Sequence, residues 1–358
     1  MKNILLAISG LTPQILTETL FALTIQQNIK IDEIYIITTK RGKKVIEGKD
    51  KSASTPNTSL QSEIKNLCTN YKIKKPKFSV NDNVIAAEEE SLELYDVKTD
   101  QDNILFPNKT AELVRRLTHD PDTTIYASLS GGRKSMAAHL AIVLSLFART
   151  KDKLFHVLTS EEFEFKNFYP KNQKEAKALI IAEIPFIKLR SLNSPIIKKA
   201  ESYYEIVEKT QERLQFLADD SKLIIDLKKR EILFKERSIN LSPIEIVIYL
   251  SFIENKISNR AGFINKEIQS IEYAGRIKTI LEENFNYYID SRDKNHWSKK
   301  GISQEYFLSL KSKINKKISE LFISEEQKDL FKISSNRIWG DTSYLVKAPK
   351  DKMGINYE

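Results

Sequence analysis

Residues 124–149 read TIYASLSGGRKSMAAHLAIVLSLFAR, and the fold turns on how this stretch divides. Residues 124–129 are β-branched, aromatic and apolar, the composition of a strand buried on both faces. Residues 134–149 form a strongly apolar helical run. Between them Ser130, Gly131, Gly132 and Arg133 make a tight turn. A strand that passes through a glycine turn straight into a helix is half of a βαβ unit. The same alternation recurs on either side. Residues 4–8 (ILLAI) form a continuous apolar strand, and Ile15, Leu16, Thr19, Leu20 and Leu23 then follow at helical spacing. Pro13 sits where a first-turn proline is tolerated. Residues 34–39 (IYIITT) are a second buried strand, residues 58–71 a helix and residues 78–80 a short strand. The acidic stretch 86–102 reads as a surface excursion. Residues 110–117 are helical, 153–158 a strand, and 178–189 one or two more strands. The expected fold class is α/β, a Rossmann-like doubly wound parallel sheet.

Beyond this the pattern changes. Residues 194–219 read as one long connecting helix, and residues 223–234 as a hairpin turning at 228–230. Leu241-Ser242-Pro243-Ile244-Glu245 is a helix start, with Ser as cap, Pro at the first position and Glu in the first turn. Residues 304–321 are an amphipathic helix carrying Lys311, Lys313, Lys316 and Lys317. A closing hairpin, 331–334 with 342–346, is joined through 336–340. That order is the order of a winged helix-turn-helix. Over residues 222–348 it resembles the effector domain of two-component response regulators. The expected division is therefore a sheet domain over 1–190, a linker helix over 191–220 and a winged helix-like domain over 221–358.

The chain has 358 residues, enough for two domains with cores of their own. Lys and Arg number 57 against 48 Asp and Glu, a net charge of +9. The excess divides as +5 over residues 1–190 and +4 over the remainder, so no basic arm or tail holds it. Cys68 is the only cysteine, which excludes an internal disulfide and suits a reducing compartment. The N-terminal apolar run is about six residues, below the roughly 7–15 of a signal peptide. No stretch approaches the roughly 18 apolar residues of a membrane helix. These features lead us to expect a soluble, cytoplasmic protein without a membrane partner.

Two turns carry chemistry. Ser9-Gly10-Leu11-Thr12-Pro13-Gln14 follows the first strand, and Ser128-Leu129-Ser130-Gly131-Gly132-Arg133-Lys134-Ser135 follows a central one. In a doubly wound sheet both lie at the carboxyl edge, where ligands bind. Paired glycines let backbone N–H groups approach an anion, and the helix start adds partial positive charge. Arg133 can fork onto phosphate oxygens beside the compact cation of Lys134. Thr38 and Thr39, ending the second strand, could add hydroxyl donors. Two adjacent cations at a helix start oppose the dipole preference and imply a bound anion. The P-loop spacing G-x-x-x-x-G-K-[ST] and the dinucleotide G-x-G-x-x-G are both absent. An ATP pyrophosphatase loop, SGGxDS, would need aspartate where Lys134 stands. His119, His139, His156 and His296 are scattered, and no metal or cofactor is expected.

The strand followed by SGLTPQILTETLFAL, the second strand ending in Thr-Thr and the mid-chain LSGGRKSMAAHLA resemble the CRISPR-associated Rossmann fold (CARF) proteins, specifically the type III CRISPR ring nuclease branch. The resemblance spans about residues 1–190. It implies a homodimer that binds a cyclic oligoadenylate, most commonly cyclic tetra-adenylate, across its dyad and cleaves it. Carried onto matching positions, it implies that Ser9, Gly10, Leu11 and Thr12 contact the ring. Arg133 and Lys134 would hold and act on the scissile phosphate. A ring-bending site could set the 2′-OH in line without a metal and leave a 2′,3′-cyclic phosphate. An effector ribonuclease of this family would carry an Arg–His pair spaced four to six residues apart. Arg292 and His296 have three residues between them, and Arg133 with His139 lie in the turn and its apolar helix. The alternative of a different class is a ligand-gated DNA-binding regulator using the helix at 304–321.

Overall fold

The first strand, β1 (Lys2–Ile8), is buried from Ile4 onward, and its alternate side chains enter two different cores. Ile4, Leu6 and Ile8 pack with Phe106, Val114, Leu140 and Leu144 on one face. Leu5 and Ala7 pack with Leu16, Leu20, Phe21, Ile64 and Leu67 on the other. Complete burial of each Leu contributes about 1.5–3 kcal/mol, so β1 is the centre of a doubly wound sheet. The chain is described here from a computed structural model covering residues 2–50, 57–89, 92–164, 166–285, 297, 299–338 and 340–357. It divides into two compact units, Met1–Thr210 and Gln211–Glu358.

In the first unit β1 pairs in parallel with β2 (Glu33–Thr38), and β2 with β3 (Val84–Ala86). On its other side β1 pairs with a strand at Thr123–Ser128, and that strand with one at Lys153–Leu158. A two-stranded ribbon, β4 (Glu88–Glu89) and β5 (Leu92–Glu93), precedes these two, which are therefore β6 and β7. The last strand, β8 (Ile180–Glu183), gives the order β3-β2-β1-β6-β7-β8. Helices Gln14–Phe21 and Leu60–Asn70 cover one face, and Asp102–Leu117 and Lys134–Phe147 the other. The α/β, Rossmann-like reading therefore stands, with local corrections.

The sheet is not wholly parallel: β8 runs antiparallel to β7, with Phe155 opposite Glu183 and Leu158 opposite Ile180. Among the described residues the one helix between them, Gln173–Ala178, has six residues. That is about 9 Å of helix against about 20 Å of strand, so it does not cover the sheet as the crossover helix of a βαβ unit does. The third strand lies at 84–86 rather than 78–80, because Ser79 caps a one-turn helix, Val80–Asn83. Asp102–Leu117 begins well before residue 110, with Pro107 inside it. The acidic stretch is partly structural: Val97 is buried, and Asp96 reaches across to the glycine turn. The connecting helix is two helices, Arg190–Lys199 and Tyr203–Ala218, separated where Ala200 is extended. Ile196, Ala200, Tyr203 and Ile206 belong to the first unit's core, and Phe216 to the second's.

The second unit starts with a meander, β9 (Leu223–Asp226), β10 (Glu231–Phe234) and β11 (Arg237–Asn240). The tail adds β15 (Met353–Asn356) in parallel to β9. Ser242 caps the helix Pro243–Ile257 in a capping box with Glu245, whose carboxylate accepts from the Ser242 N–H at 2.8 Å. Then come β12 (Phe263–Ile264), the helices Ile271–Phe285 and Gln304–Glu320, and a hairpin of β13 (Ile333–Ile338) and β14 (Asp341–Val346). These three strands form a sheet in the order β12-β14-β13. Residues 292–296, with Arg292 and His296, lie outside the described residues.

Candidate functional site

Because β1 and β6 are adjacent and parallel, the turns that follow them leave the same sheet edge. The contact between these turns is backbone on backbone. A Cβ on Gly10 would stand 2.8 Å from the Gly132 Cα, and one on Gly131 would stand 2.3 Å from the Ile8 carbonyl oxygen. Gly132 has φ +67°, a left-handed conformation that side chains disfavour. Any larger residue at these positions would force the two turns apart.

Arg133 stands at the mouth of this junction, with Lys134 opening the helix Lys134–Phe147. Arg133 forks onto Asp96, Nε to Oδ1 at 2.8 Å and Nη2 to Oδ2 at 2.5 Å. The guanidinium holds the Asp96 carboxyl down at about 2. The expectation that both cations await an anion is therefore half met from within the chain. Lys134 is exposed and has no ion pair among the described residues.

Two cavities flank Gly132 and Arg133. One, of about 280 Å³, is lined by Gly10, Leu11, Thr12, Thr39, Arg41 and Asp96. The other, of about 290 Å³, is lined by Thr12, Gln14, Glu18, Ser130, Gly131, Lys134 and His156 among others. Most of the residues expected from sequence thus converge on this edge. Ser9, Thr38, Ser128 and Ser135 line neither cavity. Thr38 Oγ1 donates to the Ser9 carbonyl at 2.6 Å, and Ser128 Oγ lies 3.3 Å from Thr19 Oγ1. Ser9 is buried, and its hydroxyl has no hydrogen-bond partner among the described residues. Ser130 Oγ accepts from the Val157 N–H at 2.6 Å and lies 3.2 Å from His156 Nδ1. Thr39 caps the helix Lys40–Ile46, its hydroxyl accepting from Gly42 N at 3.2 Å.

Sequence reasoning missed Arg41, Asp96, Glu18 and His156. Arg41 follows the Thr-Thr strand end directly, and its Nε lies 3.2 Å from Asp50 Oδ2. Gln14 and Glu18 are four residues apart on one helix, a spacing that places them on one face. Burial, reinforced by the charge of Glu164, raises the Glu18 carboxyl to about 7. Asp96 left no signal, being 37 residues from its partner. Among the described residues no three His, Cys, Asp or Glu side chains cluster as a metal site requires.

A mostly parallel α/β sheet whose glycine turns meet at its carboxyl edge defines a Rossmann-like fold. The family model described as "CRISPR-associated protein NE0113" matches residues 12–216, more than half of the chain, and the chain belongs to that family. No curated protein sequence matches it. Among solved structures it is similar to "Enterococcus italicus Csm6 bound to cyclic hexa-2'-fluoro-hexa-dAMP" at 13% identity. That match covers 92% of this chain and 83% of the other, with a TM-score of 0.35.

Proposed function

We propose that this CRISPR-associated protein binds a cyclic oligoadenylate at the glycine-turn edge and opens it by metal-independent attack of a ribose 2′-OH. The observation that carries the reading is the junction itself. Gly10 and Gly132 touch through backbone, and Lys134, with no ion pair among the described residues, stands beside them. The 2′-oxygen bonds to its neighbouring phosphorus as the P–O5′ bond breaks. The hydroxyl loses its proton, the leaving 5′-oxygen gains one, and a 2′,3′-cyclic phosphate remains. Lys134 stabilises the charge that develops on the phosphoryl oxygens, and Arg133, exchanging Asp96 for the ring, holds the adjoining phosphate. Two copies related by a two-fold axis would present this edge twice to one ring. The N-terminal unit carries the chemistry, and the second unit serves as a winged helix-like support. The test is incubation of labelled cyclic tetra-adenylate with the protein in EDTA. The wild type should yield linear products ending in a cyclic phosphate; an intact ring would sink the enzyme reading.

A second reading, a ring-gated DNA-binding regulator, rests on the second unit. Its order of helix, strand, helices and hairpin, with strands paired β12-β14-β13, is the observation that supports a winged-helix reading. The lysines argue against it. Lys317 lies 2.8 Å from Glu245, and Lys311 contacts Ser335 and the Tyr344 ring. A gel shift against promoter DNA at near-physiological salt decides between them. Salt-resistant, sequence-specific binding would favour the regulator.

A further inference from the structure

The 290 Å³ cavity has a second chemistry that the phosphate argument does not use. Its volume is at the small end of ligand pockets, roughly 300–1,000 Å³, room for a single base. Ile15, Leu129 and Ala137 supply apolar wall. Glu18 is only 9% exposed and Gln14 8%, and both side chains line the space. Among the described residues Gln14 Oε1 has no hydrogen-bond partner, and the Glu18 carboxyl accepts no hydrogen bond. A buried carboxyl and a buried amide left open toward a cavity are costly unless a ligand completes them.

We propose that this cavity is a purine subsite in which Glu18, as a neutral carboxylic acid, reads the edge of adenine. The inference rests on the oligoadenylate reading above and adds to it the group that recognises the base. A protonated carboxyl has one donor and one acceptor. It can therefore donate to adenine N1 and accept from the N6 amino group in a closed pair of hydrogen bonds. An ionised carboxylate accepts only, and would instead suit the N1–H and N2–H donors of guanine. Proton occupancy at Glu18 thus sets which purine the pocket prefers. The burial that lifts this carboxyl to about 7 keeps the neutral form available near neutral pH. The charged and titratable groups facing the cavity with it are His156 on β7, Glu164 on the loop after β7, and Arg133 and Lys134 at the glycine turn.

The experiment measures binding of cyclic tetra-deoxyadenylate, which lacks the attacking hydroxyl, between about pH 6.5 and about pH 9. Wild-type affinity should fall at least tenfold across that range as the carboxyl ionises. Glu18→Gln, which keeps a donor and an acceptor at the same volume, should bind within about threefold of the wild type at the acid end and lose the pH dependence. Glu18→Ala should bind weakly throughout, and His156→Gln should retain the wild-type fall. A flat wild-type profile, or a Glu18→Gln protein as weak as Glu18→Ala, overturns the proposal while ring binding stands. A fall that vanishes in His156→Gln also overturns it, by assigning the proton to the imidazole. Absence of binding at every pH by folded wild-type protein overturns the oligoadenylate reading itself.

Discussion

At the glycine-turn edge of the first unit Lys134 is exposed and unpaired among the described residues. On the helix Gln304–Glu320 of the second unit, two of the four lysines expected to face solvent are engaged by that unit's own residues. Lys317 lies 2.8 Å from Glu245, and Lys311 lies 5.1 Å from the centre of the Tyr344 ring. Both regions read as basic in sequence. The difference shows that a lysine count does not measure available charge; what matters is whether the fold has already supplied the counter-group. Arg133 lies between these cases, held by Asp96 but at the mouth of a cavity.

The comparison breaks most sharply at Lys134. Lys134→Ala should reduce ring cleavage by about 10²–10³-fold, read as single-turnover rate on labelled cyclic tetra-adenylate, with the thermal midpoint unchanged. Full activity in that variant would move the chemistry elsewhere. Gly131→Ala comes next, because its Cβ would press on the Ile8 carbonyl. A loss of about 1–3 kcal/mol in folding stability is expected, measured by urea unfolding together with weakened ring binding.

Glu18 offers a test by pH. Its raised carboxyl means the folded state keeps a proton that the unfolded chain has released. Stability should fall as pH rises from about 4.5 toward about 7 and then level off. Glu18→Gln should remove that slope and leave the variant more stable than wild type at pH 8, by on the order of 2–3 kcal/mol. A wild-type stability curve flat across that interval would show the carboxyl ionised when folded. Asp96→Asn should act in the smaller range. Removing a carboxylate that competes with phosphate for Arg133 should tighten ring binding at low salt by about tenfold or less. Weaker binding would mean that Asp96 chiefly aims the arginine. The smallest effect belongs to the second unit: Lys313→Ala with Lys316→Ala should change ring affinity and stability by no more than about 0.5 kcal/mol.

Much of the fold could be read from residues 4–8, 34–39 and 124–129, because apolar runs buried on both faces leave few alternatives to a central sheet. The cap at Ser242 was equally legible, since its partners lie three residues away. The reversed β8 was not, because its direction is set by pairing with β7 across the sheet, and the 21-residue connection permits either direction. At the site, the glycines, Arg133 and Lys134 were visible as a local motif. Thr38 and Ser128 have suitable hydroxyls, yet the fold uses both inside the protein.

The sequence by itself therefore determined the alternation of strands and helices, the two glycine turns and the identity of the cations beside them, since each depends on neighbours within a few residues. Only the tertiary structure decided which of those cations has a counter-charge among the described residues. It also placed Asp96 on Arg133 from 37 residues away and enclosed Glu18 beside Gln14 at a cavity. Charge and proton affinity depend on through-space distance and on exclusion of water, and neither is written in the order of residues.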